Sequence, residues 1–297
     1  MIDLTSPPEV SIIMSVRDAA ETLNAALRSI LWQTFTDWEL ILIDDGSRDD
    51  AVPRVAALAD PRIRITCHGE SRGLAYRLNE GIDVARGRFI ARMDADDVCY
   101  PQRLAIQAEF LRGNPAVDVL ATQAIVFRRD GEIVAATRSP TTHEQITANP
   151  YRRVPFFHPT WCGKAEWFRK FRYDPRFKRG QDQELLLRAW RSSRFAAVDK
   201  ILLGYRDERT NLYNNNYGRI LYTYAVWADA RRSKAYSAAV RETALQIAKC
   251  VVELGAAAVG QEEWLLRRKL EQVTSLEAEE WRTIWSRLTR GEVSVDA

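Results

Sequence analysis

The sequence predicts an α/β protein with a mostly parallel central sheet and a C-terminal helical extension. Three observations carry this. Short apolar, β-branched runs alternate with helical patterns over the first two hundred residues, the signature of strands joined by right-handed helical crossovers. Two of those runs end in acidic turns, Asp44-Asp45-Gly46-Ser47 and Asp94-Ala95-Asp96-Asp97. From about Gly218 onward only helical periodicity remains.

Val10 to Val16 (VSIIMSV) has the composition of a buried parallel strand. Asp18 and Glu21 have capping-box spacing and open a helix whose apolar stripe is Leu23, Leu27, Ile30 and Leu31. Trp38 to Ile43 is the second strand, about Asp49 to Leu58 a weaker helix, and Arg62 to Cys67 a third strand. Leu74 to Ala85 is helical, and Arg88 to Met93 is the fourth strand. Pro101 to Arg112 is a helix with Pro in its first turn. Val117 to Phe127 and Glu132 to Thr137 form a hairpin turned at Arg129-Asp130-Gly131. A helix over Asp182 to Trp190, a strand over Ala196 to Gly204 and a polar loop over Asn211 to Tyr217 follow.

In the extension, Val240, Ala244, Ile247, Val251 and Leu254 recur at helical spacing, as do Leu266, Leu270 and Val273. Thr274 and Glu277 suggest a second capping box, leading into Trp281, Ile284, Trp285 and Leu288. The expectation is three or four helices packed on one another, with the apolar stripes explained by packing and no catalytic role. The chain therefore divides into residues 1–217 and 218–297.

Composition narrows the function. There are 43 basic and 40 acidic residues, too even for a dedicated nucleic-acid binder. The four cysteines form no C-x-x-C pair and no zinc spacing. No signal-peptide pattern opens the sequence and no run approaches the ~20 apolar residues of a membrane span, so the expectation is a cytoplasmic protein. Between Tyr151 and Gly180 there are nine basic residues against two acidic ones, interleaved with Phe156, Phe157, Trp161, Trp167 and Phe168. That mixture suits either an ordinary basic surface or peripheral contact with a membrane or lipid diphosphate.

The two acidic turns lie at the carboxyl ends of strands, where open α/β sheets bind ligands. Clustered carboxylates repel one another unless a cation sits among them, and hard Mg²⁺ or Mn²⁺ takes oxygen ligands. Either turn alone also reads as a solvated loop; two on neighbouring strands point to a site. Neither G-x-G-x-x-G nor G-x-x-x-x-G-K-[ST] is present, which argues against dehydrogenases and P-loop enzymes.

Four segments resemble the nucleotide-sugar-dependent glycosyltransferases of family 2. They are VSIIMSVRD from Val10, SILWQTFTDWELILIDDGSRD from Ser29, SRGLAYRLNEGIDVARGRFI from Ser71 and MDADDVCYPQRL from Met93. The resemblance extends over about residues 9–205 and implies the GT-A fold. It implies that Ser15 faces the base, that Asp45, with Asp44 beside it, holds base or ribose, and that Arg72 and Asn79 flank the base. Asp94, Ala95 and Asp96 form the D-x-D, with Asp96 the metal ligand, and Asp97 contacts ribose or sugar. Gln181-Asp182 resembles the family's E-D motif, with Gln181 where the family usually has Glu, and the resemblance implies Asp182 as the general base; against this stands the simpler role of a carboxylate at a helix N-terminus.

His158-Pro159-Thr160 resembles the H-P-T segment on the acceptor side. Tyr205-Arg206 matches the family's Y-R, but Glu208 stands where many members have a metal-side His. Either Arg206 or Arg209 takes over the charge of that His, or the loop simply differs. The implied activity is inverting transfer from a nucleoside-diphosphate sugar, with UDP as default, to a glycan or lipid-linked acceptor at the inner face of a bacterial membrane. The cofactor is Mn²⁺ or Mg²⁺ and a homodimer is one arrangement to test. A nucleotidyltransferase would need a Gly-rich N-terminal signature that Ser15-Val16-Arg17-Asp18 does not supply; a non-catalytic sugar-binding subunit would not need both Asp96 and Asp182.

Overall fold

The computed structural model describes residues 6–152, 154–207, 212–258 and 271–290. Leu266, Leu270, Glu208 and Arg209 lie outside them.

Strands β1 (Val10–Val16), β2 (Trp38–Asp44), β3 (Ile63–Cys67) and β4 (Phe89–Asp94) are parallel and lie in the order β3-β2-β1-β4. β1, β2 and nearly all of β4 are buried, which is why they read as continuous apolar runs. Helices α1 (Leu23–Leu31), α2 (Ala51–Ala56) and α3 (Leu74–Val84) make the crossovers.

Beyond β4 the sheet becomes mixed. Its order continues through β8 (Cys162–Lys164), β6 (Val119–Phe127), β9 (Phe195–Arg206) and β5 (Val98–Cys99). β8 runs antiparallel to β4 and β6, whereas β9 is parallel to β6. The hairpin of β6 with β7 (Ile133–Thr137) forms as the pattern predicts. Helices α4 (Arg103–Gly113), α5 (His143–Ile146), α6 (Ala165–Lys170) and α7 (Gln181–Ala189) complete this part. Two-residue β5 and three-residue β8 are too short to leave a periodic signal, so only the structure reveals them.

Five expectations are corrected. The Asp18–Glu21 capping box does not form: α1 begins at Leu23 after Thr22 with no side-chain cap. Asp18 instead adopts φ +50° and accepts a hydrogen bond from the Arg48 N–H at 2.8 Å, tying the β1–α1 loop to the β2–α2 loop. Residues 212–217 are not a loop. They begin α8 (Leu212–Ser233), a helix that runs straight through residue 217. The aromatics of the basic stretch are core: Phe156, Trp161, Trp167 and Phe168 are buried, with Trp161 and Trp167 edge-on at 6.4 Å.

The extension is also not one bundle. α9 (Tyr236–Ala258) packs on α8, but α10 (Ser275–Thr289) docks elsewhere, against the sheet and α1. α10 opens with the expected capping box, in which Thr274 and Glu277 exchange both hydrogen bonds. Its Trp281 fills the space above Gly204, where a Cβ would come within 2.3 Å of the indole ring. Finally, the stripe Val240, Ile247, Val251 and Leu254 on α9 is exposed, not packed.

Candidate active site

Sheet register assembles the site. Val16 pairs with Asp44 and Ser15 with Asp94, so the ends of β2, β1 and β4 lie side by side. Strand order reverses at β1, and the crevice beyond that point is the ligand position of an open α/β sheet.

The first acidic turn is held by the protein itself. Asp44 accepts from the Ser47 N–H at 2.9 Å and the Ser47 hydroxyl at 2.5 Å, closing the turn. Gly46 makes that turn possible with φ +78°, and a Cβ there would press on the Glu70 backbone at 3.1 Å. Asp45 accepts from four donors: Ser71 Oγ at 2.6 Å, Arg72 N–H at 2.8 Å, Gly73 N–H at 2.9 Å and Arg77 Nε at 2.7 Å. Burial by itself would raise its pKa, but these bonds override burial and hold the carboxyl below its usual range. Asp45 thereby fixes the Ser71–Gly73 loop against the strand end. The Arg72 side chain is exposed over Tyr76, 5.0 Å from its ring. Asn79 clamps the Tyr173 backbone through both its amide groups, at 2.8 and 3.0 Å.

The second turn is different. Asp94, Asp96 and Asp97 place carboxylate oxygens within 4.8 Å of one another. Desolvation, then the charge of Asp94, pushes the Asp96 carboxyl up to about 6. Asp97 is fully buried and is driven well above its ordinary value by burial and then by both neighbours. Among the described residues its Oδ2 has no hydrogen-bond partner. A group of carboxylates that cannot comfortably all ionise, with one buried acceptor atom unused, fits an oxygen-liganded divalent cation.

Two arginines brace this turn. Arg92, inside β4, contacts Asp94 through Nη2. It is buried; burial works against its charge, but Asp94 and Asp97 outweigh that. Its sequence signal was available: an Arg inside the run Phe89-Ile90-Ala91-Arg92-Met93 must find a partner, because an unpaired buried charge is costly. Arg206 donates its backbone N–H to Asp97 at 3.1 Å and its Nε to the Asp96 carbonyl at 3.0 Å. Its guanidinium lies over Phe127 at 4.7 Å and over Trp285 of α10 at 5.6 Å. Through Trp285, α10 thus supports the Arg206 side chain that braces the acidic turn.

Gly180 takes φ +67° and caps α7, which carries Asp182 in its first turn. Asp182 accepts from Gln183 Nε2 at 3.2 Å. Burial pushes the Tyr173 hydroxyl above its usual range; the charge of Arg92 opposes this, and Asp182 and Asp94 add to it. Tyr173 in turn bonds His158 Nε2 at 2.7 Å. Burial, then the charge of Arg92, keeps His158 neutral to well below the usual histidine range. Glu184, the other carboxylate of this turn, is taken up by Arg188 at 2.5 and 2.8 Å. Thr160 is fully buried, its hydroxyl bonded to the Phe157 carbonyl at 2.7 Å and the Thr122 N–H at 3.1 Å. It belongs to the core, not to an acceptor surface. Ser71, Arg77, Arg92 and Tyr173 are the members that sequence reasoning missed.

This fold and site define a GT-A glycosyltransferase, and the comparisons agree. The model of Glycosyl transferase family 2 matches residues 11–172, more than half of the chain, and the chain belongs to that family. EpsE of Bacillus subtilis (strain 168), named for glycosyltransferase activity, is 34% identical over 191 residues, 62% of this chain and 68% of its own length. Escherichia coli WfgD, named as a UDP-Glc:alpha-D-GlcNAc-diphosphoundecaprenol beta-1,3-glucosyltransferase, is 36% identical over 105 residues, 35% of this chain and 42% of that protein. The structure of S. aureus TarS 1-349 in complex with UDP-GlcNAc superposes with a TM-score of 0.64 at 14% identity, covering 96% of this chain and 82% of that one. Similarity at that identity establishes the shared fold. Among the described residues no helix is long and apolar enough to cross a membrane.

Proposed function

We propose that the chain is an inverting glycosyltransferase of cell-surface polysaccharide synthesis. It moves a sugar from a nucleoside-diphosphate sugar to a hydroxyl of a glycan or lipid-linked acceptor. The carrying observation is the carboxylate cluster Asp94, Asp96 and Asp97 at the end of β4, beside the Asp45-held loop. UDP is the favoured nucleotide, since WfgD and TarS are both described with uridine-diphosphate sugars. The nucleoside would lie along Ser15, Asp44, Asp45 and Arg72.

Asp96, with Asp94 and Asp97 behind it, would hold Mn²⁺ or Mg²⁺, which when bound neutralises charge on the diphosphate. Arg92 and Arg206 keep the turn in shape. Asp182 accepts the proton of the acceptor hydroxyl. The hydroxyl oxygen attacks the anomeric carbon, the bond from that carbon to the diphosphate oxygen breaks, and the nucleoside diphosphate departs from the opposite face with the electron pair. The basic residues between Tyr151 and Gly180, with their phosphate-compatible charge, suit a cytoplasmic enzyme working at the inner face of a membrane on a lipid diphosphate.

The test is nucleoside-diphosphate release from UDP-, GDP- and dTDP-sugars, with Mn²⁺ and with EDTA. Release from the UDP-sugar that is lost in EDTA is expected. Equal release under both conditions would refute the role given to the acidic turn.

A further inference from the structure

α9 is an amphipathic helix turned inside out. Its polar side faces α8: Glu242 is 2% exposed, Thr243 accepts from Trp227 Nε1 at 2.9 Å, and Glu253 pairs with Arg219. Its apolar side faces outward, with Val240 57%, Ile247 61%, Val251 64% and Leu254 53% exposed. With Ala244 these residues are spaced four, three, four and three apart, the strict heptad seam of one helix meant for another. Exposed apolar stripes of this kind mark interaction sites.

We propose that this face pairs antiparallel with α9 of a second copy of the chain. Residue chemistry selects that occupant. In the antiparallel register Ala244 meets Leu254 and Ile247 meets Val251, so each layer sets larger against smaller or like against like, and each contact is made twice. Parallel pairing would set Ala244 on Ala244 and Leu254 on Leu254, leaving a gap in one layer. From Val240 to Leu254 the seam is ~21 Å long.

A lipid surface is disfavoured by the same observations. A membrane-surface helix carries bulky apolar residues with Lys and Arg on its polar face. Here the polar face bears Glu242 and Glu253 with one lysine, Lys249, beside Glu242, and it is already packed on α8.

The test is sedimentation of the full chain at micromolar concentration, which needs neither donor nor acceptor and so stands apart from the enzymatic reading. The wild type should sediment at twice 34.0 kDa. Ile247→Glu and, separately, Val251→Glu should each sediment at 34.0 kDa with unchanged circular dichroism. Leu276→Glu, at a 75% exposed position on α10, should stay dimeric. Independently of any seam variant, antiparallel pairing places the two Cys250 side chains, which flank the seam, near the two-fold axis. In a Cys67→Ser background a short bismaleimide should therefore link the copies; Cys99 and Cys162 are buried and silent. A monomeric wild type overturns the proposal, whether residues 259–270 prove to cover the face or vesicles of anionic lipid bind it. A dimer that survives both seam variants, or that Cys250 fails to cross-link, overturns it as well.

Discussion

Replacing Asp96 with Asn should make the cation-free protein more stable while removing its response to Mn²⁺. The wild-type carboxyl moves from its usual 3.8 up to about 6 on folding. A raised carboxyl means that the folded state holds its proton more tightly than the unfolded state. Stability from this group is therefore present at acid pH and is lost as pH rises from about 4 through about 6. The gap corresponds to ~3 kcal/mol at pH 7. Asp96 keeps one side open to solvent, and screening there reduces the figure to about 1–2 kcal/mol. Asn stays neutral and recovers that amount. In a chain of this size ~2 °C accompanies each kcal/mol. Thermal unfolding in EDTA at pH 7 should give Asp96→Asn a melting temperature roughly 3 °C above the wild type. The gain should fall to about half at pH 5. Mn²⁺ should raise the wild-type value and leave the variant unmoved. A variant that melts no higher than wild type in EDTA, or whose advantage persists undiminished at pH 5, would refute the electrostatic account of this turn.

Three further outcomes follow from the same geometry. Asp182→Asn should lower transfer ~10²–10⁴-fold while UDP affinity by calorimetry stays near wild type, since a base acts on the acceptor's proton; near-normal transfer would move the base elsewhere. Trp285→Ala removes a ring that meets Phe127 at 5.2 Å, Trp281 at 5.8 Å and the Arg206 guanidinium. Denaturant unfolding should show a loss of about 2–4 kcal/mol, and Mn²⁺-dependent donor binding should weaken because Arg206 no longer steadies Asp96 and Asp97. His158 is held neutral by burial and by Arg92, so below about pH 6.5 the unfolded chain takes up a proton that the folded one refuses. The stability advantage of wild type over His158→Gln, read from urea midpoints, should therefore shrink as pH falls from 7 to 5; a constant difference would contradict this.

Much of the architecture was legible because its causes are local. A buried parallel strand must be apolar on both faces, so β1, β2 and β4 appear as runs. A strand that stops at Asp94-Ala95-Asp96-Asp97 announces a site, because such a cluster is costly without a partner. The Thr274–Glu277 box was readable since its two bonds span only three residues. The spacing of Asp18 and Glu21 was equally good, yet a distant loop claimed Asp18 through Arg48. Thr160, in the segment that resembles the acceptor-side H-P-T, is core because the Thr122 N–H of β6 takes its oxygen.

By itself, then, the sequence determined the long strands β1 to β4, β6 and β9 and the longer helices, where the acidic turns fall, and that α9 has one apolar face. Tertiary structure alone decided that this face looks outward, that α10 reaches back to Arg206, and that Arg92 and Tyr173 join the carboxylates. The physical reason is that periodicity records which side of an element avoids water, whereas the neighbour that covers it, or fails to, is chosen by chain segments far away in sequence.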